Sequence, residues 1–409
     1  MFKFKFSQNW LVLFAAVLGI LTGIFSNYYL TTTAEVVSSI TIKTLQLISL
    51  PILFISIVST LSGMESFNKV KYLGRKVMKY TFLTTLAASF IAFLLYLIIS
   101  PVPSESFNSN GAIAQPSLLT TLLDLYPSNV VNAFAQSNVM GLVLIAAGLG
   151  LGILSLETKQ KESVHKIFSA LFTALLNIAT FIIKFLPIGV WAFMTLFMQK
   201  IAEDGFSHYS SLFLYLAVII GANTIQGLVV LPLLLKWKGI SPLRTAKGMS
   251  NALSTAFFSK SSNATLPITM SNMEKNLKVP RKITSFSLPL CSTINMNGCA
   301  AFIFTTVVFV SMSAGVSFSM MHMLIWVFIA TLAAIGNAGV PMGCYFLSSA
   351  LLAGLGVPLE LLGLILPVYA LIDMMETALN VWSDSCVTSV VAKEVKDEEN
   401  ETVNIPTSI

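Results

Sequence analysis

Long apolar runs alternate with short polar ones along this chain. A helix needs about 20 apolar residues to span a bilayer. Runs of that order occur at about 10–30, 40–62, 79–101, 129–156, 166–197 and 209–236. The basic residues cluster between them, in "KVKYLGRKVMK", "KQKESVHK", "KWKGISPLRTAK" and "EKNLKVPRK". No Lys or Arg lies between Lys79 and Lys159, an interval holding the polar "PVPSESFNSNGAIAQPS". Basic loops stay in the cytoplasm, so this stretch is an external loop and both termini are cytoplasmic. The opening "MFKFKFSQNWLVLFAAVLGILTGIF" has the basic start of a signal peptide but no small-x-small cleavage pattern after it. It reads as a first membrane helix. The closing "AKEVKDEENETVNIPTSI" is polar and is expected to be a disordered tail.

The second half departs from this alternation. Residues 248–275 are mostly apolar but carry "SKSSNATLP", and the basic loops on both sides belong inside. A segment that enters and leaves on one side is re-entrant, two short helices joined by a polar tip. Residues 322–357, centred on "AIGNAGVPMG", have neutral flanks that the count places outside. The Gly and Pro there cannot continue a helix. Two hairpins thus enter from opposite faces, and interrupted segments in corresponding places point to a transporter binding site.

Composition fits a polytopic membrane protein: 55% of the 409 residues are hydrophobic and only 10% charged, against about 25% charged in soluble domains. The net charge of +6 sits in short loops, so it is no nucleic-acid signal. No HExxH, GxSxG or P-loop occurs, and "SKSS" alone makes no nucleophile site, so an enzyme is not expected. Cys291, Cys299, Cys344 and Cys386 fall in apolar segments without CxxC spacing and are expected as buried thiols without disulfides. His165, His208 and His322 are expected at loops or helix ends, in solvent.

The chemistry gathers in "LIDMMETALNVWSD", residues 371–384. At about 100° per residue, Asp373, Glu376, Thr377, Asn380 and Asp384 fall on one helical stripe within about 60° of Asp373. No Lys or Arg lies between Lys282 and Lys393 to neutralise the acids. Charged groups at membrane depth cost at least about 2 kcal/mol each and mark functional paths. Thr293, Asn295 and Asn297 lie in "TINMNG", which can unwind and present carbonyls to a hard cation such as Na⁺. The missing counter-charges are then mobile: Na⁺ ions and a substrate ammonium.

In this order, "SKSSNATLPITM", "TINMNG", "IGNAGVPMG" and "DMMETALNVWSD", with "LPIGVWAF" in the fifth span, resemble the dicarboxylate/amino acid:cation symporter family. The resemblance covers nearly the whole chain. It implies an all-α polytopic membrane protein of eight transmembrane helices plus two re-entrant helical hairpins, the elevator fold of glutamate-transporter homologues. It implies a homotrimer in the cell's inner (plasma) membrane, with no nucleic-acid partner. Residues 1–68 and 102–204 would form the scaffold, helices 1–2 and 4–5. Residues 69–101 (helix 3) and 205–395 would form the transport domain, and 396–409 the cytoplasmic tail. The outer hairpin, around 336–343, would be the extracellular gate.

Carried over by motif, Asp373 binds the substrate ammonium. Thr377 and Asn380 contact the ammonium and the α-carboxylate, and Ser261 and Ser262 hold that carboxylate. Cys299, Val340 and Gly343 complete the substrate set. Asn295 and Asp384, with main-chain oxygens near Cys291 and Asn380, form one Na⁺ site. Main-chain oxygens of Thr293, Met296, Ala334, Ile335 and Asn337 form a second. Na⁺ is the coupling ion and an amino acid the substrate.

Three departures qualify the resemblance. Glu376 stands where acidic amino-acid carriers have an Arg that pairs with the substrate's side-chain carboxylate. An acid against an acid excludes aspartate and glutamate, and Cys299, a weak donor, replaces a threonine. "ETALN" resembles the sodium/serine–threonine symporter branch, with Glu376 accepting a hydrogen bond from a substrate hydroxyl. A third Na⁺ site would use Thr84, Thr85 and an aspartate, but the aspartate is Asn297 and a tyrosine is Thr81, so this site is expected to be weakened or absent. Lys260 stands near the serine tip, within reach of Asp373 or Glu376 or of solvent. The alternative reading is a cation-coupled carrier of cationic or other amino acids, Glu376 pairing the side chain or coupling protons. A channel would differ in lacking saturable, substrate-gated flux.

Overall fold

The computed structural model describes residues 8–25, 27–63, 67–102, 127–204, 210–337, 339 and 341–403. In order, α1 is Gln8–Ile24, α2 Tyr28–Ser62, α3 Phe67–Ile99, α4 Val130–Ala135, α5 Val139–Leu154 and α6 Thr158–Asp204. Then come α7 Ser210–Ile225 and α8 Leu231–Trp237, joined by a π-turn at Gln226–Val230. The second half holds α9 Pro242–Ser259, α10 Ser262–Lys275, α11 Arg281–Ile294, α12 Asn297–Ser313, α13 Met320–Ile335, α14 Gly343–Gly354 and α15 Glu360–Val403. Among the described residues six segments are long and apolar enough to cross a bilayer, with α7–α8 and α11–α12 each counted as one. The chain is a multi-pass membrane protein.

Element ends follow local chemistry. Asn27 caps α2 by accepting the Leu30 N–H at 3.1 Å, and Ser241 with Pro242 starts α9. Both interrupted segments break at their polar tips. Lys260 takes a left-handed conformation, φ 55°, and ends α9; Ser261 then caps α10. Gly336 closes α13, and Met342 at φ 57° precedes α14. The π-turn is real backbone widening, since the Leu231 N–H reaches back five residues to the Gln226 carbonyl.

The helices pack in two groups. α1, α2, α5 and α6 lie against one another, while α3, α7 and the helices from α9 onward gather around α12 and α15. α14 crosses to α2, and Gly336 at the end of α13 reaches the same helix, its carbonyl accepting from Ser56 Oγ at 3.4 Å. The apolar window of α11–α12 is 94% buried and that of α6 only 11%. The former is therefore wrapped by protein, and α6 presents its apolar flank outward.

Three sequence expectations change here. The run at 129–156 is two helices, split at Ser137–Asn138, where Asn138 caps α5. The expected tail is helical to Val403, because Glu394 is tied to Lys76 at 3.1 Å, to Lys238 at 2.6 Å and to the Tyr80 hydroxyl. His165 is half-buried, its Nδ1 3.0 Å from Ser62 Oγ, and His322 meets Ser319 Oγ at the start of α13. His208 and nearly all of the external loop lie outside the described residues.

Candidate functional site

The break between α11 and α12 forms the centre. Asn295 and Met296 leave helical geometry, with ψ of 72° and 65°. Such backbone survives at membrane depth only inside protein, and both residues are buried. Asn295 Nδ2 donates to Ser383 Oγ and to Asp384 Oδ1, each at 2.9 Å. Its Oδ1 accepts from Thr84 Oγ1 at 3.2 Å and from Asn297 Nδ2 at 2.9 Å. Asn297 Nδ2 also lies 3.3 Å and 3.4 Å from the hydroxyls of Thr84 and Thr85. Gln226 Nε2 donates to Asn297 Oδ1 at 2.6 Å and to the Thr84 carbonyl at 3.0 Å. Amide N–H groups therefore occupy the space among Thr84, Thr85 and Asn297. Gln226 escaped sequence reasoning; a lone glutamine in an apolar run was its only signal.

The acidic stripe of α15 is buried along its length, at Asp373, Glu376, Thr377, Asn380 and Asp384. Glu376 Oε2 accepts from the Tyr369 hydroxyl at 3.4 Å, while Oε1 has no hydrogen-bond partner among the described residues. Tyr369 is held by ring contacts with Phe302 and Tyr345. It precedes Glu376 by seven residues, two helical turns on the same stripe, which was the overlooked sequence signal. Thr377 Oγ1 donates to the Asp373 carbonyl at 2.8 Å. Asn380 Oδ1 accepts the Gly298 N–H at 2.9 Å, and its amide faces Met296 Sδ at 3.4 Å. A Cβ on Gly298 would stand 2.8 Å from Glu376 Cα, so glycine is what lets α12 touch α15.

Both tips close on this centre. Ser261 Oγ accepts the Ala264 N–H at 3.2 Å, and Ser262 is buried at the N-terminus of α10. That terminus carries partial positive charge suited to a carboxylate. Ala334 and Ile335 form the last turn of α13. Asn337, also buried, donates to Cys299 Sγ at 3.2 Å and Cys344 Sγ at 3.6 Å. A Cβ on Gly343 would fall 1.7 Å from Asn337 Oδ1. Gly339, at φ +66°, seats the second tip on α11, where a Cβ would meet the Ser292 carbonyl at 2.8 Å. Val340 lies outside the described residues.

The cysteines need correction. Cys291 and Cys386 are buried free thiols as expected, but Cys299 and Cys344 form a disulfide with Cα atoms 5.3 Å apart. In that form Cys299 has no S–H to donate and instead accepts from Asn337. Their separation of 45 residues hides a proximity that arises only when α14 folds onto α12.

A cavity of about 1660 Å³ opens between the two helix groups on the side of the basic loops. His165 and Thr60 line one wall, Arg244, Lys282 and Lys393 the other, and its depth reaches Thr293. The site thus offers oxygen-rich broken helices, buried acids and an aqueous approach from the basic side.

The model of the sodium:dicarboxylate symporter family matches residues 9–394. The chain is 29% identical to excitatory amino acid transporter 3 of Mus musculus, covering 96% of this chain and 87% of that protein. It is 26% identical to the proton/glutamate-aspartate symporter of Escherichia coli (strain K12), over 95% of this chain and 93% of that one. It is also 29% identical to neutral amino acid transporter A of Bos taurus, over 84% of this chain and 73% of that one.

Proposed function

From the premise that this chain belongs to the sodium:dicarboxylate symporter family, we propose that it is a Na⁺-coupled importer of small neutral amino acids, serine and threonine. One observation carries the choice: Glu376 is 1% exposed and has a carboxylate oxygen without a hydrogen-bond partner among the described residues. An aspartate or glutamate side chain brought there would set two carboxylates together, a like-charge contact costing several kcal/mol. A hydroxyl satisfies the orphan oxygen, and a site built to bond a hydroxyl rejects analogues lacking it. Among the relatives both a glutamate-aspartate symporter and a neutral amino acid transporter occur.

In this reading Asp373 binds the ammonium, Thr377 and Asn380 position it, and the Ser261–Ser262 tip holds the α-carboxylate. Na⁺ is taken by the oxygens around Asn295 and Asp384, and by main-chain oxygens near Thr293, Met296, Ala334, Ile335 and Asn337. The third cation position, at Thr84, Thr85 and Asn297, is closed by amides. The groups around α2–α6 and around α12–α15 act as scaffold and elevator in a homotrimer of the inner (plasma) membrane. The two interrupted segments are re-entrant hairpins, and both termini are cytoplasmic. The cavity on the basic side supports access from the cytoplasm in the present conformation.

The test is uptake of radiolabelled serine into proteoliposomes with and without an inward Na⁺ gradient, challenged by excess threonine, alanine, aspartate, lysine or arginine. Na⁺-dependent uptake blocked by threonine but not by alanine, aspartate or lysine is expected. Block by lysine or arginine alone would turn Glu376 into a partner for a cationic side chain. Block by aspartate would refute the reading, and block by alanine the hydroxyl-acceptor role of Glu376.

A further inference from the structure

Three soft or anionic ligand atoms converge in the core. The sulfurs of Cys299 and Cys344 and a carboxylate oxygen of Glu376 all lie within 4.8 Å of one another. All three residues are buried, on α12, α14 and α15 respectively. One Glu376 carboxylate oxygen has no hydrogen-bond partner among the described residues, so it is open to a ligand at this place. Asn337 contributes amide N–H contacts to both sulfurs, which orient them as outer-shell partners orient metal ligands.

We propose that in its reduced form this trio binds one soft divalent cation, Zn²⁺ or Cd²⁺, and that the bound ion inhibits transport. Zinc takes thiolate sulfur at about 2.3 Å and carboxylate oxygen at about 2.0–2.2 Å. Ligands around such an ion stand under about 4 Å apart, so from their present spacing of within 4.8 Å the sulfurs would part and the carboxylate would close on them. Two thiolates select against Na⁺, which prefers oxygen, so this site is separate from coupling-ion chemistry. The ion ties α14 to α12 and α15 and fills the space beside Glu376. The inhibition rests on the proposed substrate pocket; the binding does not.

The experiment uses the full chain in detergent, reduced with a phosphine and titrated with Cd²⁺ alone while the ultraviolet cadmium–thiolate band is followed. In parallel, serine uptake by reduced proteoliposomes is measured with and without Zn²⁺. One Cd²⁺ per chain is expected. The band should vanish in Cys299→Ser and in Cys344→Ser, and persist when Cys291 and Cys386 are both changed to Ser. Glu376→Gln should weaken binding at least about tenfold, and protein left in the disulfide form should show no band. No band in reduced wild type, or a band unchanged by Cys344→Ser, overturns the site. Binding without any effect of Zn²⁺ on a measurable serine uptake overturns the inhibition. Absence of serine uptake with or without metal refutes the substrate reading, while the titration still decides the metal site.

Discussion

Gln226 and Asn297 are joined by a 2.6 Å hydrogen bond from the glutamine amide to the asparagine Oδ1. The Asn297 amide in turn points at Asn295, Thr84 and Thr85. A cation here would have to displace N–H donors. Initial uptake should therefore rise with Na⁺ to a power below three. Asn297→Asp replaces a neutral amide by an anion and should raise that exponent. A third-power dependence in the unaltered protein would show that the amides do not close the position.

In the proposed reading Glu376 selects the side chain that is accepted. Hydrogen bonds to charged groups contribute about 1.5–3 kcal/mol, so Glu376→Ala should lower kcat/KM for serine roughly ten- to a hundredfold. Glu376→Arg reverses the charge at the same place and should admit aspartate. Competition of labelled serine by aspartate in the Arg variant is the measurement. No gain of aspartate inhibition would place side-chain selection elsewhere.

Much of this was legible in the sequence, for a physical reason. The stripe from Asp373 to Asp384 follows from helical periodicity alone, and burial of all five polar residues agrees with it. The break at Lys260–Ser261 was readable from the polar tip between two basic loops, and the break around Gly339 from the Gly and Pro that cannot continue a helix. Contacts made by distant segments did not show. Cys299 meets Cys344 only through the fold of α14, and Gln226, at the start of the π-turn, bonds Asn297 71 residues further on. The helical tail was misread because its stabilising partners, Lys76 and Lys238, lie far away in sequence.

Glycine at 298 and 343 is a packing requirement. Gly298→Ala forces a methyl toward the Glu376 backbone at 2.8 Å, and neither helix can yield locally. Overpacking of this kind costs typically about 1–3 kcal/mol. Gly343→Ala instead meets the Asn337 side chain, which can rotate away at the loss of its contacts to the two sulfurs. Gly298→Ala should lower the unfolding temperature in detergent more than Gly343→Ala does. Equal effects would mean that Asn337 is as fixed as backbone.

Glu394 ties three elements together, accepting from Lys76 on α3, Lys238 after α8 and Tyr80. Its side chain is 22% exposed, so solvent screens it only partly. Glu394→Gln should destabilise by about 1–3 kcal/mol. The Lys393–Asp397 pair, with both side chains more than 40% exposed, is an ordinary surface i,i+4 contact worth about 0.3–0.5 kcal/mol. Asp397→Asn should leave the melt nearly unchanged. Denaturant melts of the two variants side by side test the contrast, and equal shifts would contradict it.

Asn295 reaches α15 at two neighbouring residues, donating to Ser383 Oγ and to Asp384 Oδ1, each at 2.9 Å. If Na⁺ sits there, it binds the folded state and stabilises it by mass action, about 2.7 kcal/mol at a hundred times Kd. Unfolding temperature should rise with NaCl and not with equal choline chloride. Asp384→Asn keeps the shape and most of the hydrogen bonding but removes the anion. The Na⁺-dependent rise should then shrink sharply, and Na⁺-driven uptake should fall with it. A variant that melts like the parent and still responds fully to Na⁺ would move the ion site away from Asp384. A variant with a lowered melt in choline as well would show that Asp384 is structural, holding Asn295 in place.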